Sequence, residues 1–504
     1  MLAKLTQVML EVFAALTTVS ASYCLAQNVE ASPSLTALQQ QIDYQAAQID
    51  ELTKLLGGKQ AAAASPFGAA LGREDKSRMP GSVLGDPLIL EKPTDVTSDN
   101  SSNASGSHPT LNFYADYDRG FVVRAFDPPK HPFELNVSGW IQFRHHAFDR
   151  DVASWTDSAG GTRLVRDRNA FDIERGRLVF SGFAVDQRLT YFLQLDGDTD
   201  GAHSVDFFDY WWGWQLTDSF QLQFGKRKVS ASRQWLLGAR RTRFIDRPMA
   251  NDFFRPDRTV GIFGVGTIGD NGHYELMVGN GYHTANLPNL ITDDRFTFAA
   301  TNYFDSRGNI GGQIVDFDCT RNPLVRFGHS FVYSPNTSDA IGIPLGEADF
   351  LRLSDGTRLT QTGALAAGVT VSEYDIVFYG LDAIFKWRGW SFDSEVFMRW
   401  IDNIIADAPL PDDSLEQYGF YTEGGYFLIP KKLDVNARYS QVKGEQGTAS
   451  EYAAGFNWYP LGKPQLKASF DVTVLDGSPL QNTASDILVG DDGILFRSQL
   501  QAEF

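Results

Sequence analysis

Two cysteines in 504 residues, Cys24 and Cys319, leave nothing for a disulfide scaffold or a cysteine-based metal centre. Cys24 stands where an export signal would be cut, and Tyr23 occupies the preceding position, where a lipoprotein signal needs a small residue. One thiol, no disulfide and no lipidation are therefore expected in the mature chain. The eight histidines lack metal-ligand spacing, Gly264-Val265-Gly266 reads as strand glycine, and no nucleophile sits in a recognisable catalytic setting. No enzyme, metal or cofactor is expected. Also missing from the mature chain is any run of the ~18 apolar residues that a membrane helix requires. That leaves a soluble fold or a transmembrane β-barrel, whose strands hide their hydrophobicity by alternation. With 37 Phe, 18 Tyr and 10 Trp, the chain is supplied for a barrel's two interfacial girdles.

The first 26 residues read as an export signal, with Lys4 ahead of an apolar stretch from Val8 to Val19 that Glu11 interrupts, and cleavage after Ala26 or Ala21. Residues 27–58 carry a coiled-coil pattern. Leu35, Ile42, Ile49 and Leu56 fall at one seam position and Leu38, Gln45 and Leu52 at the other, with Gln45 placed to fix register. The alternative is one amphipathic helix on a globular surface. Residues 59–110 lack any apolar period, from Ala61-Ala62-Ala63-Ala64 to Ser98-Asp99-Asn100-Ser101-Ser102, and read as a flexible linker.

From residue 111 to 504 the chain reads as all-β. After Phe133 the period is two: Leu135, Val137, Gly139, Ile141 and Phe143 alternate with Asn136, Ser138, Gln142 and Arg144. Phe392, Ser394, Val396, Met398 and Trp400 alternate with Asp393, Glu395, Phe397 and Arg399. Short turns near 185–187, 217–219, 269–272, 319–323, 388–389, 430–431 and 460–464 alternate with longer polar stretches. These lie near 148–168, 197–205, 228–257, 282–309, 334–373, 403–414, 443–449 and 476–492. Seven turns and eight loops predict a 16-stranded antiparallel transmembrane β-barrel. The last strand puts Phe496, Ser498, Leu500, Ala502 and the terminal Phe504 on one face, as outer-membrane proteins do. Trp211, Trp212 and Trp214 are read as part of a girdle.

One segment opposes the global charge of −18. From Lys226 to Arg258 ten basic residues face only Asp246, Asp252 and Asp257, a formal charge of +7. The rest of the chain holds 34 basic and 59 acidic residues and carries −25. This segment ends the fifth strand and forms the third long loop, about 228–257. Folded inward, it would place guanidinium groups in a confined passage, where rings of Arg or Lys select anions and the rigid fork of arginine suits oxyanions. The expected constriction residues are Lys226, Arg227, Lys228, Arg233, Arg240, Arg241, Arg243 and Arg247, with Arg144, Arg175, Arg177 and Asp196 as lumen support. Arg227 shares its strand face with Gln221 and Gln223, and Asp196 is placed to position an arginine by a salt bridge. The interleaved Trp235, Leu236, Leu237, Phe244, Ile245, Phe253 and Phe254 favour a packed, inward loop over a solvated loop that touches lipopolysaccharide. Export and the negative net charge argue against nucleic acid.

The segments Gly225-Lys226-Arg227-Lys228, Arg243-Phe244-Ile245-Asp246-Arg247-Pro248-Met249-Ala250-Asn251-Asp252 and Arg258-Thr259-Val260-Gly261-Ile262 resemble the third-loop region of the phosphate-selective porin family (porin O and P type). Tyr117 to Phe121, Gly139 to Arg144, Arg175-Gly176-Arg177, Tyr191 to Asp196 and Asp209 resemble it as well. The resemblance implies a homotrimer of barrels in the bacterial outer membrane, in contact with lipid and lipopolysaccharide. It further implies that basic residues of the lumen and third loop conduct phosphate or similar small anions. Where the family has a Pro-Phe step after Lys228, this chain has Val229-Ser230-Ala231-Ser232. The competing functions are a general or carbohydrate porin and a structural barrel whose coiled coil contacts the cell wall.

Overall fold

The computed structural model describes residues 113–118, 120–199, 205–284, 292–337 and 350–504. The expected signal segment, coiled coil and linker fall outside the described residues. The described residues open with a hairpin, β1 (Phe113–Tyr117) and β2 (Phe121–Ala125), followed by the first long strand, β3 (Phe133–Arg150). A small hairpin of β4 (Ser154–Thr156) and β5 (Thr162–Leu164) precedes β6 (Arg168–Ala184), β7 (Asp186–Gly197), β8 (Asp206–Thr217) and β9 (Phe220–Lys228). Two short helices, α1 (Arg233–Leu236) and α2 (Met249–Phe254), then interrupt the strands. β10 (Arg258–Ile268), β11 (Gly272–Gly279), β12 (Thr297–Asp305), β13 (Leu324–Asn336), β14 (Val371–Trp387) and β15 (Trp390–Ala406) come next. β16 (Leu415–Ile429), β17 (Leu433–Gly444), β18 (Gly447–Trp458), β19 (Leu466–Asp476) and β20 (Gly493–Glu503) complete the chain.

β3 and β6 to β20 form sixteen strands, each antiparallel to its neighbour, and β20 pairs back onto β3 from Gly493↔Arg150 to Glu503↔Trp140. Closure removes both sheet edges, which hydrocarbon could not satisfy. The seam depends on a close approach. The Phe504 amide donates to the Gly139 carbonyl at 3.1 Å, and a Cβ on Gly139 would lie 2.6 Å from Phe504 Cζ. Where β20 stops, β2 takes over the same edge of β3, from Phe121↔Val137 to Arg124↔Glu134. Periodicity had given no sign of the β1–β2 hairpin.

The alternation sorts residues as expected. On β14, Ile376, Phe378, Asp382, Ile384 and Lys386 are buried inward, while Leu381 is 46% exposed on the outer face. Trp387, Trp390 and Phe392 are also exposed on that face, where the turn end of β14 and β15 meets the interface. Four expectations need correction. β12 lies inside the stretch expected to be a loop at 282–309, and the β12–β13 connection, 306–323, is far longer than the expected turn. The stretch 443–449 is a tight hairpin in which only residues 445 and 446 separate β17 from β18. Trp211 turns to the opposite face from Trp212 and stacks on Phe192 at 5.5 Å, because successive strand residues alternate.

Leu381 lies well inside β14, far from either interface. Leu381→Arg should cost about 2–4 kcal/mol of folding stability, since an outward cation must be taken into hydrocarbon. Denaturant titration in lipid vesicles reads this directly. A midpoint equal to that of the unsubstituted protein would mean that this face does not meet lipid.

Candidate functional site: a loop folded into the lumen

Residues 229–257, between β9 and β10, leave the wall and cross the barrel. Their partners are inward side chains of nearly every later strand. The Ser232 amide donates to Ser330 Oγ on β13 (3.1 Å), Met249 N to Glu451 on β18 (2.7 Å), Ala250 N to Ser440 on β17 (2.9 Å) and Ile245 N to Asp471 on β19 (3.1 Å). Of the seven apolar residues predicted to hold the loop inward, Trp235, Phe244, Ile245, Phe253 and Phe254 are buried, while Leu236 and Leu237 are half-buried. Phe254 stacks on Phe397 of β15 at 5.5 Å, within a lumen cluster that includes Phe378, Ile401 and Tyr421. The inner wall is therefore partly apolar, and α2 docks there.

The Val229-Ser230-Ala231-Ser232 step is accommodated by hydroxyls. Ser230 Oγ donates to Glu275 at 3.0 Å, and Ser232 Oγ donates to Glu395 at 2.9 Å while receiving Asn251 Nδ2 at 2.7 Å. Ser232 adopts a left-handed φ of 59° and caps α1 through the Trp235 amide. Glu395 accepts bonds from the amides of Arg233 and Gln234 as well, so one β15 carboxylate fixes the start of α1. Four such contacts over-determine a backbone conformation that serine otherwise avoids.

The predicted basic residues fall into distinct settings. Arg227 faces the lumen, paired with Glu275 at 2.6 Å and bonded to Gln223. Lys226 does not face it. It opposes Val260 and Tyr210, both exposed outward, and its Nζ reaches the Phe207 carbonyl at 2.9 Å. The one-residue step from Arg227 is enough to change sides. Lys228 donates to the carbonyls of Trp235 and Leu237 at 2.7 and 3.2 Å, covering the end of α1. Arg233 lies 3.5 Å from Asp382 and over Tyr303. Arg240 reaches Glu503 at 3.2 Å, and Arg241 donates to the Gly312 carbonyl at 3.1 Å. Arg243 is buried against Asp393 at 2.6 Å with Glu423 at 3.5 Å. Arg247 donates to the carbonyls of Gln234 and Leu237, and burial pushes its guanidinium down to about 9, still protonated at neutral pH.

The support residues converge on one carboxylate. Arg144 Nη2 and Arg175 Nη2 both donate to Asp246 Oδ2, at 3.0 and 2.8 Å. Burial alone would raise the Asp246 pKa, but Arg175 and Arg144 outweigh it and hold the carboxyl well below the usual range. Arg438 completes the seat by donating to the Asp246 carbonyl at 2.7 Å. Arg177 forms the expected pair with Asp196, bidentate at 2.7 and 2.9 Å. Sequence reasoning placed Asp393, Glu395, Asp471 and Glu503 on polar strand faces without naming them as partners of the loop. Arg399 and Arg438 went the same way. Their alternation was visible, whereas the cross-lumen pairing that gives them a role has no sequence spacing.

A barrel of sixteen strands that holds an inward loop is the architecture of an outer-membrane porin, wide enough for an aqueous channel. Belonging follows from the sequence as well. The family described as phosphate-selective porin O and P matches residues 143–302 and 324–504, so this chain is a member of that family, a porin of the bacterial outer membrane. No curated protein sequence matches it. Among solved structures it is similar to an anion-selective porin from Comamonas acidovorans (9% identity, 73% of this chain and 99% of that one, TM-score 0.46). It is also similar to the channel DcaP of Acinetobacter baumannii (11%, 74% and 97%, TM-score 0.45). OmpF of Salmonella typhi is a third such structure (13%, 74% and 98%, TM-score 0.46).

Asp246→Ala would leave two buried guanidiniums short of a carboxylate and should cost about 3–5 kcal/mol, read as a lower unfolding midpoint. The open-channel current should also become noisier as the loop loosens. Asp186→Ala, which breaks an exposed pair with Arg188, serves as the control and should change neither. A quiet, fully stable Asp246→Ala channel would show that the loop is seated by its apolar contacts alone.

Proposed function

We propose that the porin mediates passive, anion-selective diffusion of phosphate or related oxyanions, filtered by the cations that loop 3 and its neighbouring strands present to water. One asymmetry supports this reading. In several pairs the cation is the more exposed member: Arg227 at 11% against Glu275 at 1%, Arg233 at 12% against Asp382 at 3%, Arg255 at 18% against Asp252 at 2%. A solute arriving at Arg227 or Arg233 meets the guanidinium, with the carboxylate behind it. Other pairs run the other way: Arg240 and Glu503 at 4% and 18%, Arg258 and Asp209 at 5% and 12%, and Arg255 with its second partner Asp257 at 18% and 26%. The many neutralised pairs, Arg144, Arg177, Arg243 and Arg438 among them, favour a second reading, a general pore of weak selectivity. A homotrimer is part of the same proposal; the heptad over residues 35–56 is compatible with it without fixing the number of chains, and cell-wall contact through that segment is proposed with it.

Reversal potential in a planar bilayer under a chloride gradient, followed by phosphate titration, separates the readings. Anion selectivity and block of chloride current by phosphate are expected. Both should weaken when Arg227, Arg233 and Arg255 become Ala. Arg243→Ala should instead cost stability and leave selectivity in place. A weakly cation-selective, phosphate-insensitive pore would sink the anion reading and leave the general porin.

A further inference from the structure

We infer that the β12–β13 connection, residues 306–323, forms a second constriction at the turn-side mouth, in series with loop 3, and sets a size limit of its own. The inference rests on the porin fold and is independent of the anion preference. The other connections on this side contain from one residue (Val185) to seven (459–465), whereas this one contains eighteen. It occupies most of the gap, residues 303–323, between the two stretches that match the family.

Its placement is fixed from three directions. Ile310, Ile314 and Val315 are buried in an apolar cluster with Ile384 of β14, Phe427 of β16 and Tyr459, all inward-facing or at the turn end, and Leu237 of loop 3 packs against that cluster. Lys386 of β14 donates to the Ile310 carbonyl at 3.1 Å, and the Ile310 amide donates to Asp305 at 2.9 Å. Arg241 of loop 3 donates to the Gly312 carbonyl at 3.1 Å. Asp316 accepts the amides of Thr320 and Gly389, which pins the far end of the segment to the β14–β15 turn. The segment thus runs from the wall to the underside of loop 3. Beside it a cavity of about 720 Å³ remains, bounded by Gln313, Arg240, Lys463 and Glu503. A solute that clears loop 3 must leave past this segment.

Two comparable constrictions in series add their resistances, so opening one roughly doubles conductance. The test replaces residues 307–322 by a two-residue Asn-Gly turn and measures single-channel conductance and the polymer size that still enters from the turn side. A roughly twofold rise, a larger admitted polymer and an unchanged reversal potential are expected. Unchanged conductance in a folded barrel would overturn the inference. The undeleted chain gives an independent reading, with Gln313→Cys in a Cys319→Ser background and a bulky thiol reagent added from the turn side. Loss of current on labelling is expected. A thiol at position 313 that stays unlabelled, or that labels with the current unchanged, would also overturn it.

Discussion

A charge cannot be taken out of water alone, and that constraint organises the interior of this barrel. Loop 3 carries its guanidinium groups away from bulk solvent, and the opposing wall supplies oxygens at the positions where they arrive: Asp393 and Glu423 for Arg243, Glu503 for Arg240, Asp382 for Arg233. The reverse also holds. Asp246, the carboxylate that the loop sends into the wall, is received by Arg144 and Arg175. Because pairs of both polarities span the lumen, a shift of the loop breaks several at once. The loop is held by this mutual requirement together with the apolar contact of Phe253 and Phe254 with the wall.

Pairing also explains how a chain with a net charge of −18 can hold a loop of opposite sign. The acidic excess is partly spent inside, on inward positions of β14 to β20, where it neutralises loop 3 and fixes its geometry. Arginine suits this arrangement better than lysine. A guanidinium can bind a carboxylate with one edge and keep another edge or its face for a ring, as Arg233 does between Asp382 and Tyr303. The single lysine at the start of the loop, Lys228, is used as a point charge on helix carbonyls.

Much of the fold was legible in the sequence because the barrel is a repeated local pattern. Alternation fixed which residues of β15 and β20 face lipid, and the terminal phenylalanine marked the closing strand. The inward course of loop 3 was legible too, since a solvated loop has no use for Trp235, Phe244, Phe253 and Phe254. The failures came where local pattern is silent. Residues 306–323 contain Ile310, Ile314 and Val315, which read as strand but bury themselves in a segment of irregular structure, with Phe317 packed against them. Lys226 and Arg227 are adjacent and equally basic, and only the register of β9 against β10 separates outside from inside. Partners across the lumen, such as Arg144 and Asp246, are 102 residues apart, and no spacing rule connects them.

The same pairing bears on transport. A passage must attract its solute enough to admit it and weakly enough to release it. Bare guanidinium groups in a narrow, partly desolvated channel would hold an oxyanion too firmly, and they would also repel one another and dislodge the loop. A carboxylate set behind a more exposed guanidinium, as Glu275 is behind Arg227 and Asp382 behind Arg233, cancels most of the monopole and leaves a dipole with its positive end toward water. A surface built wholly of such pairs would discriminate by sign at short range while binding weakly. A wall dense in carboxylates is therefore compatible with an anion pore, provided the cations are the groups that water reaches.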